Sequence, residues 1–525
     1  MQRREFLKYG TLTVTGLALG GGAVPFVPLR RARADDGGVA GPSPPTSPFV
    51  QELPIAPLHQ PVAPFATSCP TSGNTLFYNV HIQEQLHSFH PQLPDNLIWG
   101  YNGITPGPTF HARVGQPNVV RFFNDLPANH RGFGVPNTVV HRHGGFQASE
   151  DDGFPLDLFT PGTSRDFCWP NVSPGNDVRE NEATLWYHDH LVDFTGPNVY
   201  KGLAGFFLMF DDVDSGDETD PNPAALRLPS GDFDIPLVFQ DRAFDQNGQL
   251  IFNTFEHNGF LGDKFLVNGA IQPFLRVARR KYRFRFLDGS NARFFEFFLS
   301  SGQSFIQIAS DDKLLPHPLV RKSIRMGMAE RVDVVIDFSG YPIGQEVILQ
   351  NRLQQNDGRG PSDEGLVSPG TPILKFIVTR DAADPSRVPD PLRPLPPILL
   401  DKVGAHRTFT FDNSDGGWVI NDRFFDGNRA VAFPQLGVPE IWTLQNEGGE
   451  WSHPIHIHLE SFQILSRNGQ PPAAYEAGQK DTVVLGPDDE VKLYIQFRTF
   501  RGRYVFHCHN TEHEDMAMMA RFDTT

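Results

Sequence analysis

Residues 507–519, near the carboxyl end of the chain, read HCHNTEHEDMAMM. Side chains alternate between the two faces of a β-strand, so His507 and His509 point to one face and Cys508 points to the other. Imidazole nitrogens and a cysteine thiolate are all metal ligands. The stretch therefore predicts two metal sites on opposite sides of one strand, with Cys508 in one and its two neighbours in the other.

A second histidine motif supplies the rest of the cysteine site. Residues 453–458 read HPIHIH, and His453 together with His513 would add two imidazoles to the thiolate of Cys508. Two imidazoles, a thiolate and a weak thioether make the ligand set of a blue copper site. The residues alone leave open which methionine between 516 and 519 gives the thioether. A buried apolar cysteine is the alternative reading of Cys508.

Four pairs of histidines have the spacing i, i+2, where random placement of the 19 histidines would give roughly one such pair. On a strand, both members of a pair point to the same face. One pair alone is ambiguous, since it could bind zinc or arise by coincidence. Eight neutral imidazoles that converge on one place are best explained as ligands of a metal cluster. Two pairs fall in the first and two in the last of three predicted domains, so we expect the cluster between those two domains. The pairs are His141 and His143, His188 and His190, His456 and His458, and His507 and His509.

Runs with period two recur along the chain and predict half-buried strands. Abundant Gly (49) and Pro (46) favour turns between short strands over long helices. The predicted fold class is all-β, with three β domains that each fit a sandwich or a Greek-key barrel. The middle domain carries no histidine pair. The predicted bounds are 49–213, 230–381 and 395–525, with linkers at 214–229 and 382–394.

The charge balance excludes some classes of partner. The net charge is −16, which makes the chain a poor candidate for binding nucleic acid or an anionic membrane. Arginines between Arg276 and Arg285 alternate with aromatic residues, so they predict a solvent-facing sheet surface and not a nucleic-acid interface.

The amino terminus predicts an export signal. Arg3 and Arg4 precede a mild apolar stretch at 11–29 and an A-x-A cleavage site. These features describe a twin-arginine signal peptide over 1–34, with a transmembrane anchor as the alternative. Residues 35–48 are rich in Pro, Gly and Ser and predict a flexible leader. We expect a periplasmic or secreted protein without a membrane span in its mature form.

The two cysteines outside the histidine-rich segment are Cys69 and Cys168. In an oxidising compartment they are expected to form a disulfide. Two separate buried thiols are the alternative, because sequence does not show proximity.

These motifs resemble those of the multicopper oxidase family, and within it the group of bacterial laccases, spore-coat laccases and bilirubin oxidases. Together the matching motifs span nearly the whole chain after the signal. The resemblance implies three cupredoxin-like Greek-key barrels, with a trinuclear copper cluster between the first and the third. The motifs are the four H-x-H pairs, HPxHxH, HCHx(3)Hx(4)M, YNG at 101–103, PGPT at 106–109, LWYHDH at 185–190 and KYRFR at 281–285.

The resemblance also implies a role for each ligand residue and four copper ions in all. Met518 falls at the axial position of the type 1 (blue) copper, ahead of its neighbours Met516 and Met519. The implied type 1 ligands are His453, Cys508, His513 and Met518, the type 2 ligands are His141 and His456, and the type 3 pair is bound by His143, His188, His190, His458, His507 and His509.

Two acidic residues match positions that deliver protons in the family. Asp152 lies eleven residues after His141, and Glu514 directly follows His513. Proton delivery is one interpretation of these two carboxyl groups. The other is that they hydrogen-bond groups around the metal ligands or cap a turn.

The sequence therefore predicts a laccase-like oxidase. Phenolic or aromatic-amine donors would give single electrons to the type 1 copper. Cys508 and its flanking histidines would pass these electrons to the trinuclear cluster, where O2 is reduced to water. A cuprous or metal-ion oxidase in copper tolerance is an alternative that the total of seven methionines disfavours, and a bilirubin oxidase-like activity is another.

Non-enzymatic readings fit less well. A scaffold that had lost its copper should lack some ligands, and a simple electron carrier has no use for eight further histidines. The expected partners are O2, the twin-arginine export machinery and a small reducing substrate, which is a phenol, an aromatic amine, a tetrapyrrole or a metal ion. The expected oligomeric state is a monomer.

Overall fold

The computed structural model describes residues 42–362, 364–414 and 416–525. The signal peptide predicted for residues 1–34 lies outside these residues. Within them, no helix is long and apolar enough to cross a membrane.

The amino-terminal part of the described chain forms two sheets around one core. Trp99, Phe122 and Trp169 are fully buried in this core. The strand orders are β2-β1-β4-β6 and β3-β8-β7-β5. The strands are β1 (Leu76–His87), β2 (Asn96–Tyr101), β3 (Gly107–Arg113), β4 (Asn118–Asn124), β5 (Val140–His143), β6 (Ser164–Trp169), β7 (Thr184–Asp189) and β8 (Ala204–Phe210).

The middle part forms a second pair of sheets around a phenylalanine-rich core that includes Phe239, Phe284 and Phe376. The main strand orders are β12-β11-β9-β14-β19-β16-β17, with β10 beside β9, and β13-β21-β20-β15-β18. The strands are β9 (Asp234–Phe244), β10 (Leu250–Ile251), β11 (Lys264–Val267), β12 (Ala270–Ile271), β13 (Phe274–Arg279), β14 (Lys281–Asp288), β15 (Phe295–Leu299), β16 (Phe305–Ser310), β17 (Lys313–Arg321), β18 (Ile324–Met326), β19 (Arg331–Asp337), β20 (Glu346–Leu353) and β21 (Leu366–Asp381).

The carboxyl-terminal part forms a third pair, whose core contains Trp442, Phe506 and Cys508. The strand orders are β23-β22-β25-β30-β27-β28 and β24-β32-β31-β26-β29. The strands are β22 (Ala405–Ser414), β23 (Gly417–Ile420), β24 (Ala430–Ala432), β25 (Pro439–Asn446), β26 (His453–Ile457), β27 (Phe462–Arg467), β28 (Gln479–Lys480), β29 (Thr482–Leu485), β30 (Glu490–Gln496), β31 (Gly502–Cys508) and β32 (Met519–Thr524).

The three pairs of sheets repeat one topology. In each, the first long strand lies parallel to a later strand of its own sheet, as in β1/β4, β9/β14 and β22/β25. The second sheet of each pair contains a further parallel contact, β3/β8, β13/β21 and β24/β32. Parallel neighbours need a crossover connection and not a hairpin. The fold is all-β, as predicted, and consists mainly of curled sheets.

Helices are short in the described residues. The α-helices are Thr195–Lys201 and Thr511–Asp515, and the second begins at the cap residue Asn510, whose side chain accepts hydrogen bonds from two main-chain N–H groups. The 3-10 helices are Ser149–Asp151, Pro174–Asn176, Val178–Glu180, Gly231–Phe233, Leu400–Lys402 and Ala474–Glu476.

The prediction of a solvent-facing arginine row on β14 is wrong. Arg283 and Arg285 are 1% and 0% exposed. Arg283 contacts Asp214 at 2.8 Å and Asp333 at 2.6 Å, while Arg285 contacts Asp234 at 2.7 Å. Alternation in a sequence shows that a strand has two unlike faces, but not whether the polar face is covered. Here carboxylates from elsewhere in the chain cover it and compensate the buried charges.

The chain before β1 is attached to the rest of the protein. Phe244 N donates to Ser43 Oγ at 2.9 Å, and Ser43 N donates to Asp263 Oδ2 at 2.9 Å. Residues 42–48 therefore differ from the predicted flexible leader, because these hydrogen bonds tie them to the middle part of the chain.

Cys69 and Cys168 form a disulfide, with 5.4 Å between their Cα atoms.

Candidate metal centre

Two pairs of neighbouring strands bring the eight paired histidines together. On β5 and β7, His141 lies opposite His188. On β26 and β31, His456 lies opposite His507. All eight side chains of the H-x-H pairs are between 0% and 2% exposed. Pairing within two separate sheets thus places four strand ends against one buried space.

Three imidazoles meet directly in this space. The Nε2 atoms of His190, His458 and His507 lie 3.2–3.3 Å from one another. A neutral imidazole has a single N–H group, so three rings cannot satisfy each other fully at this distance. A metal ion, which accepts a lone pair from each ring, suits the arrangement.

Other cluster imidazoles carry a buried nitrogen that has no protein partner. For His141, His188 and His456 this atom is Nε2. Their Nδ1 atoms lie at 2.5, 2.8 and 2.9 Å from the main-chain oxygens of residues 152, 189 and 481, respectively. Donation of Nδ1–H to a carbonyl leaves a lone pair on Nε2, as metal-binding histidines require. His143 Nδ1 and both nitrogens of His509 are likewise without a protein partner.

The protonation state of these rings favours metal binding. Burial and the neighbouring His190 lower the pKa of His188 to about 3. Burial also lowers the pKa of His190 to about 4, although Glu514 opposes the shift. These imidazoles are therefore neutral at pH 7, with lone pairs free for a metal.

Cys508 forms a second ligand group with two other histidines. Its Sγ lies 3.6 Å from both His453 Nδ1 and His513 Nδ1, and these two nitrogens are 3.1 Å apart. All three side chains are fully buried. Burial raises the pKa of the Cys508 thiol, so a bound cation is needed to hold it as a thiolate at neutral pH. The thiolate and imidazole donors suit copper.

The methionines near this group differ in the apolar cluster into which they pack. Met518 is fully buried in the same apolar core as Cys508, and Cys508 N donates to its carbonyl at 3.0 Å. Met519 packs into a different cluster, with Phe154 and Phe425. Met516 is half-buried at the edge of the Cys508 core. Burial in this core favours Met518 over Met519 as the thioether.

Trp418 and the main-chain carbonyls of residues 257 and 258 form a cover over the Cys508 group, and the sequence analysis did not identify them. The ring of Trp418 stacks on that of His513 with centroids 3.9 Å apart. His513 Nε2 lies 3.1 Å from the main-chain oxygen of Asn258, and Trp418 Nε1 donates to that of His257 at 2.7 Å. Because residues 257 and 258 act through carbonyl groups, their side-chain identities gave no signal.

Both predicted acidic residues touch cluster histidines. Asp152 Oδ2 lies 2.7 Å from His458 Nδ1, and burial raises the pKa of Asp152 to about 7. Glu514 Oε2 lies 3.2 Å from His507 Nδ1, and Thr195 Oγ1 donates to Glu514 Oε1 at 2.7 Å. Burial acts to raise the pKa of Glu514, but the imidazoles of its neighbours outweigh burial and lower it to about 2. Two carboxyl groups with different proton affinities thus flank one cluster.

Comparison with known proteins agrees with this chemistry. Residues 81–213 and 394–525 match the sequence profiles of multicopper oxidases. The chain is 37% identical to the bilirubin oxidase of Albifimbria verrucaria over 91% of this chain and 81% of that protein. It is 33% identical to the laccase of Bacillus subtilis over 91% of this chain and 98% of that one.

A solved structure supports the fold. The laccase of Pediococcus acidilactici superposes with a TM-score of 0.78 at 29% identity and covers 94% of this chain and 96% of its own. The matched segments contain every histidine of the two ligand groups together with Cys508. The chain therefore belongs to the multicopper oxidase family and is an oxidoreductase that uses oxygen.

Proposed function

We propose that the protein is a laccase-like oxidase that takes electrons from phenols or aromatic amines and passes them to O2. The observation that carries this proposal is the His507-Cys508-His509 segment, which contributes to both buried ligand groups. A protein that only stored copper or carried electrons would need no link between two different sites.

The proposal assigns four copper ions. His453, Cys508, His513 and Met518 would hold the type 1 ion, and His141 with His456 the type 2 ion. His190, His458 and His507 would hold one ion of the type 3 pair through their mutually facing Nε2 atoms. The other type 3 ion would bind His143, His188 and His509, whose free nitrogens support this division. Bound copper would supply single-electron acceptance at the cysteine site and reduction of O2 at the cluster.

The chain itself connects the two groups. The main chain joins Cys508 directly to His507 and His509. His507 Nδ1 also lies 3.2 Å from the carbonyl oxygen of Cys508, which adds a hydrogen-bonded route to the covalent one. Full burial of these residues excludes bulk water from the path. Electrons that enter at Cys508 therefore have a short route to the cluster.

Reduction of O2 to water also consumes protons. Glu514 and Asp152 are buried, and each touches an imidazole of the cluster through an oxygen atom. Thr195 Oγ1 hydrogen-bonds Glu514, which orients this carboxylate. We propose that both carboxyl groups take part in moving protons to the cluster.

Bilirubin oxidation is a second candidate activity. The 37% identity to a bilirubin oxidase over 91% of the chain favours it. Oxidation of Cu(I) has weaker support, because the chain has seven methionines and no methionine-rich insertion.

Oxygen uptake tests the proposal. The copper-loaded protein without residues 1–34 is given a simple phenol, bilirubin or Cu(I) in parallel. We expect rapid uptake with the phenol and little with Cu(I). Faster uptake with Cu(I) than with the phenol would overturn the laccase-like assignment in favour of a metal-ion oxidase.

We also propose export by the twin-arginine route to the periplasm or the medium. The paired Arg3 and Arg4 support this route, and the disulfide between Cys69 and Cys168 suits an oxidising compartment. Replacement of both arginines by lysine should retain the protein in the cytoplasm, as measured by cell fractionation.

A further inference from the structure

Asp481 lies between β28 and β29 and contacts two predicted copper ligands from different domains. Its Oδ1 accepts a hydrogen bond from His143 Nε2 at 3.2 Å. Its main-chain oxygen accepts another from His456 Nδ1 at 2.9 Å. Thr482 Oγ1 donates to Asp481 Oδ1 at 2.9 Å, so this carboxylate oxygen is held in place beside the imidazole. The Asp481 side chain is only 3% exposed.

The contact with Asp481 gives His143 an orientation unlike that of other cluster imidazoles. His141, His188 and His456 give Nδ1 to a main-chain carbonyl and leave Nε2 free. His143 does the reverse, because the carboxylate engages Nε2 and leaves Nδ1 without a protein partner. A neutral imidazole has one N–H group, so an acceptor at Nε2 leaves the lone pair on Nδ1.

The middle domain supplies the partner that holds Asp481. Arg331, the first residue of β19, donates from Nη1 to Asp481 Oδ1 at 2.8 Å and from Nη2 to Oδ2. Arg331 Nε and Nη1 also donate to the carbonyls of Thr184 and Ala329 at 3.1 and 2.9 Å. Arg331 is 0% exposed. A fork-shaped pair of this kind fixes the carboxylate plane and gives both carboxylate oxygens an N–H donor, so Asp481 is held as a hydrogen-bond acceptor.

Direct binding of a metal by Asp481 is the competing interpretation. Its carboxylate and nitrogens of His143 and His456 lie within 4.8 Å of one another. However, both carboxylate oxygens are engaged by Arg331, and the guanidinium charge would repel a cation there. The contact with Arg331 therefore favours the interpretation that Asp481 acts through the imidazole of His143 and does not bind the metal itself.

We propose that Asp481, held by Arg331, is a positioning residue that fixes His143 with Nδ1 toward the cluster. The inference rests on the proposed binding of copper by this cluster. The middle domain, which provides no predicted copper ligand, then shapes the copper site through one buried ion pair.

The test compares Asp481→Asn with a matched control, Asp214→Asn. Both carboxylates are buried partners of a buried arginine, since the Asp214 side chain is 5% exposed and contacts Arg283 at 2.8 Å. Only Asp481 contacts a predicted ligand. The readouts are total copper, copper detected by electron paramagnetic resonance, and the optical band of the cysteine site, because a spin-coupled copper pair gives no resonance signal.

In the parent protein we expect about half of the bound copper to be resonance-silent, as two of the four copper ions would form the coupled pair. In Asp481→Asn the silent fraction should fall, and copper affinity at the cluster should weaken about 10–100-fold. The band of the cysteine site should persist. Asp214→Asn should lose stability while it keeps the silent fraction of the parent.

A parent protein without silent copper would refute the proposed copper cluster itself. A parent with silent copper and an Asp481→Asn variant with the same fraction would refute the positioning role alone. Where Asp481→Asn yields no folded protein, Arg331→Lys decides, because it keeps the charge and removes the fork. A reduced silent fraction in Arg331→Lys supports the inference, and an unchanged fraction overturns it.

Discussion

Arg283, one of the two buried arginines of β14 named above, gives a sharp test of the fold. Arg283 is 1% exposed and contacts Asp214 and Asp333 at 2.8 and 2.6 Å. Burial opposes its charge, but the two carboxylates outweigh burial and raise the pKa of Arg283. Arg283→Met would leave both carboxylates buried without this cation. Loss of one partner from a buried ion pair costs about 3–5 kcal/mol.

Arg276 on β13, the strand that precedes β14 in the chain, provides the control. It contacts Glu52 at 2.7 Å, but the two side chains are 54% and 52% exposed. Water screens such a surface pair, so Arg276→Met should cost less than about 1 kcal/mol. The two variants thus make the same arginine-to-methionine replacement, one in a buried ion pair and the other in an exposed ion pair.

Urea unfolding followed by circular dichroism measures the difference. A chain with three pairs of sheets need not unfold in one step, so the midpoint of the first unfolding transition is compared between variants, in place of a single global free energy. We expect Arg283→Met to move that transition to clearly lower urea and Arg276→Met to leave it nearly unchanged. Equal effects of the two substitutions would refute the conclusion that the arginines of β14 face a covered surface.

Three further predictions concern the metal ligands and a buried lysine. Cys508→Ser should abolish the blue band and lower phenol-dependent O2 uptake at least about 100-fold. Copper analysis should still find copper at the histidine cluster. Retained O2 uptake would contradict the proposed electron path. Glu514→Gln should keep the copper spectrum and slow turnover about 100-fold, and unchanged turnover would argue against proton delivery by this group. Burial lowers the pKa of Lys201 from 10.5 to about 8, so the unfolded chain binds more protons between these pH values and stability should rise with pH across this window. Lys201→Met should flatten that rise in urea titrations at a series of pH values, and an unchanged slope would exclude Lys201 as its source.

The strand period explains why the candidate ligands could be read from the sequence. Residues two apart on a strand share a face, so an H-x-H pair can aim both rings at one point. The pair on β5 lies wholly within its strand, and in the other three pairs the second histidine directly follows the last residue of β7, β26 or β31. The same rule placed Cys508 on the side opposite His507 and His509. Local strand geometry was therefore enough to predict most of the candidate metal ligands.

The groups that surround the ligands gave no comparable signal. Several act through main-chain carbonyls, such as that of Asn258 beside His513. Asp481 reaches His143 across 338 positions of sequence, a separation that no local pattern spans. The covered face of β14 was misread because one acidic partner, Asp214, comes from a segment predicted only as a linker, and the other two, Asp234 and Asp333, come from other strands.

The cover over His513 bears on how the protein would choose among donors. His453, Cys508 and His513 have no exposed surface, and His513 Nε2 lies 3.1 Å from the carbonyl oxygen of Asn258. A donor would then react across a layer of protein without touching a ligand. Such long-range transfer selects compounds by the ease with which they lose an electron, and only weakly by their shape. A wide range of donors with similar reduction potentials is the expected consequence.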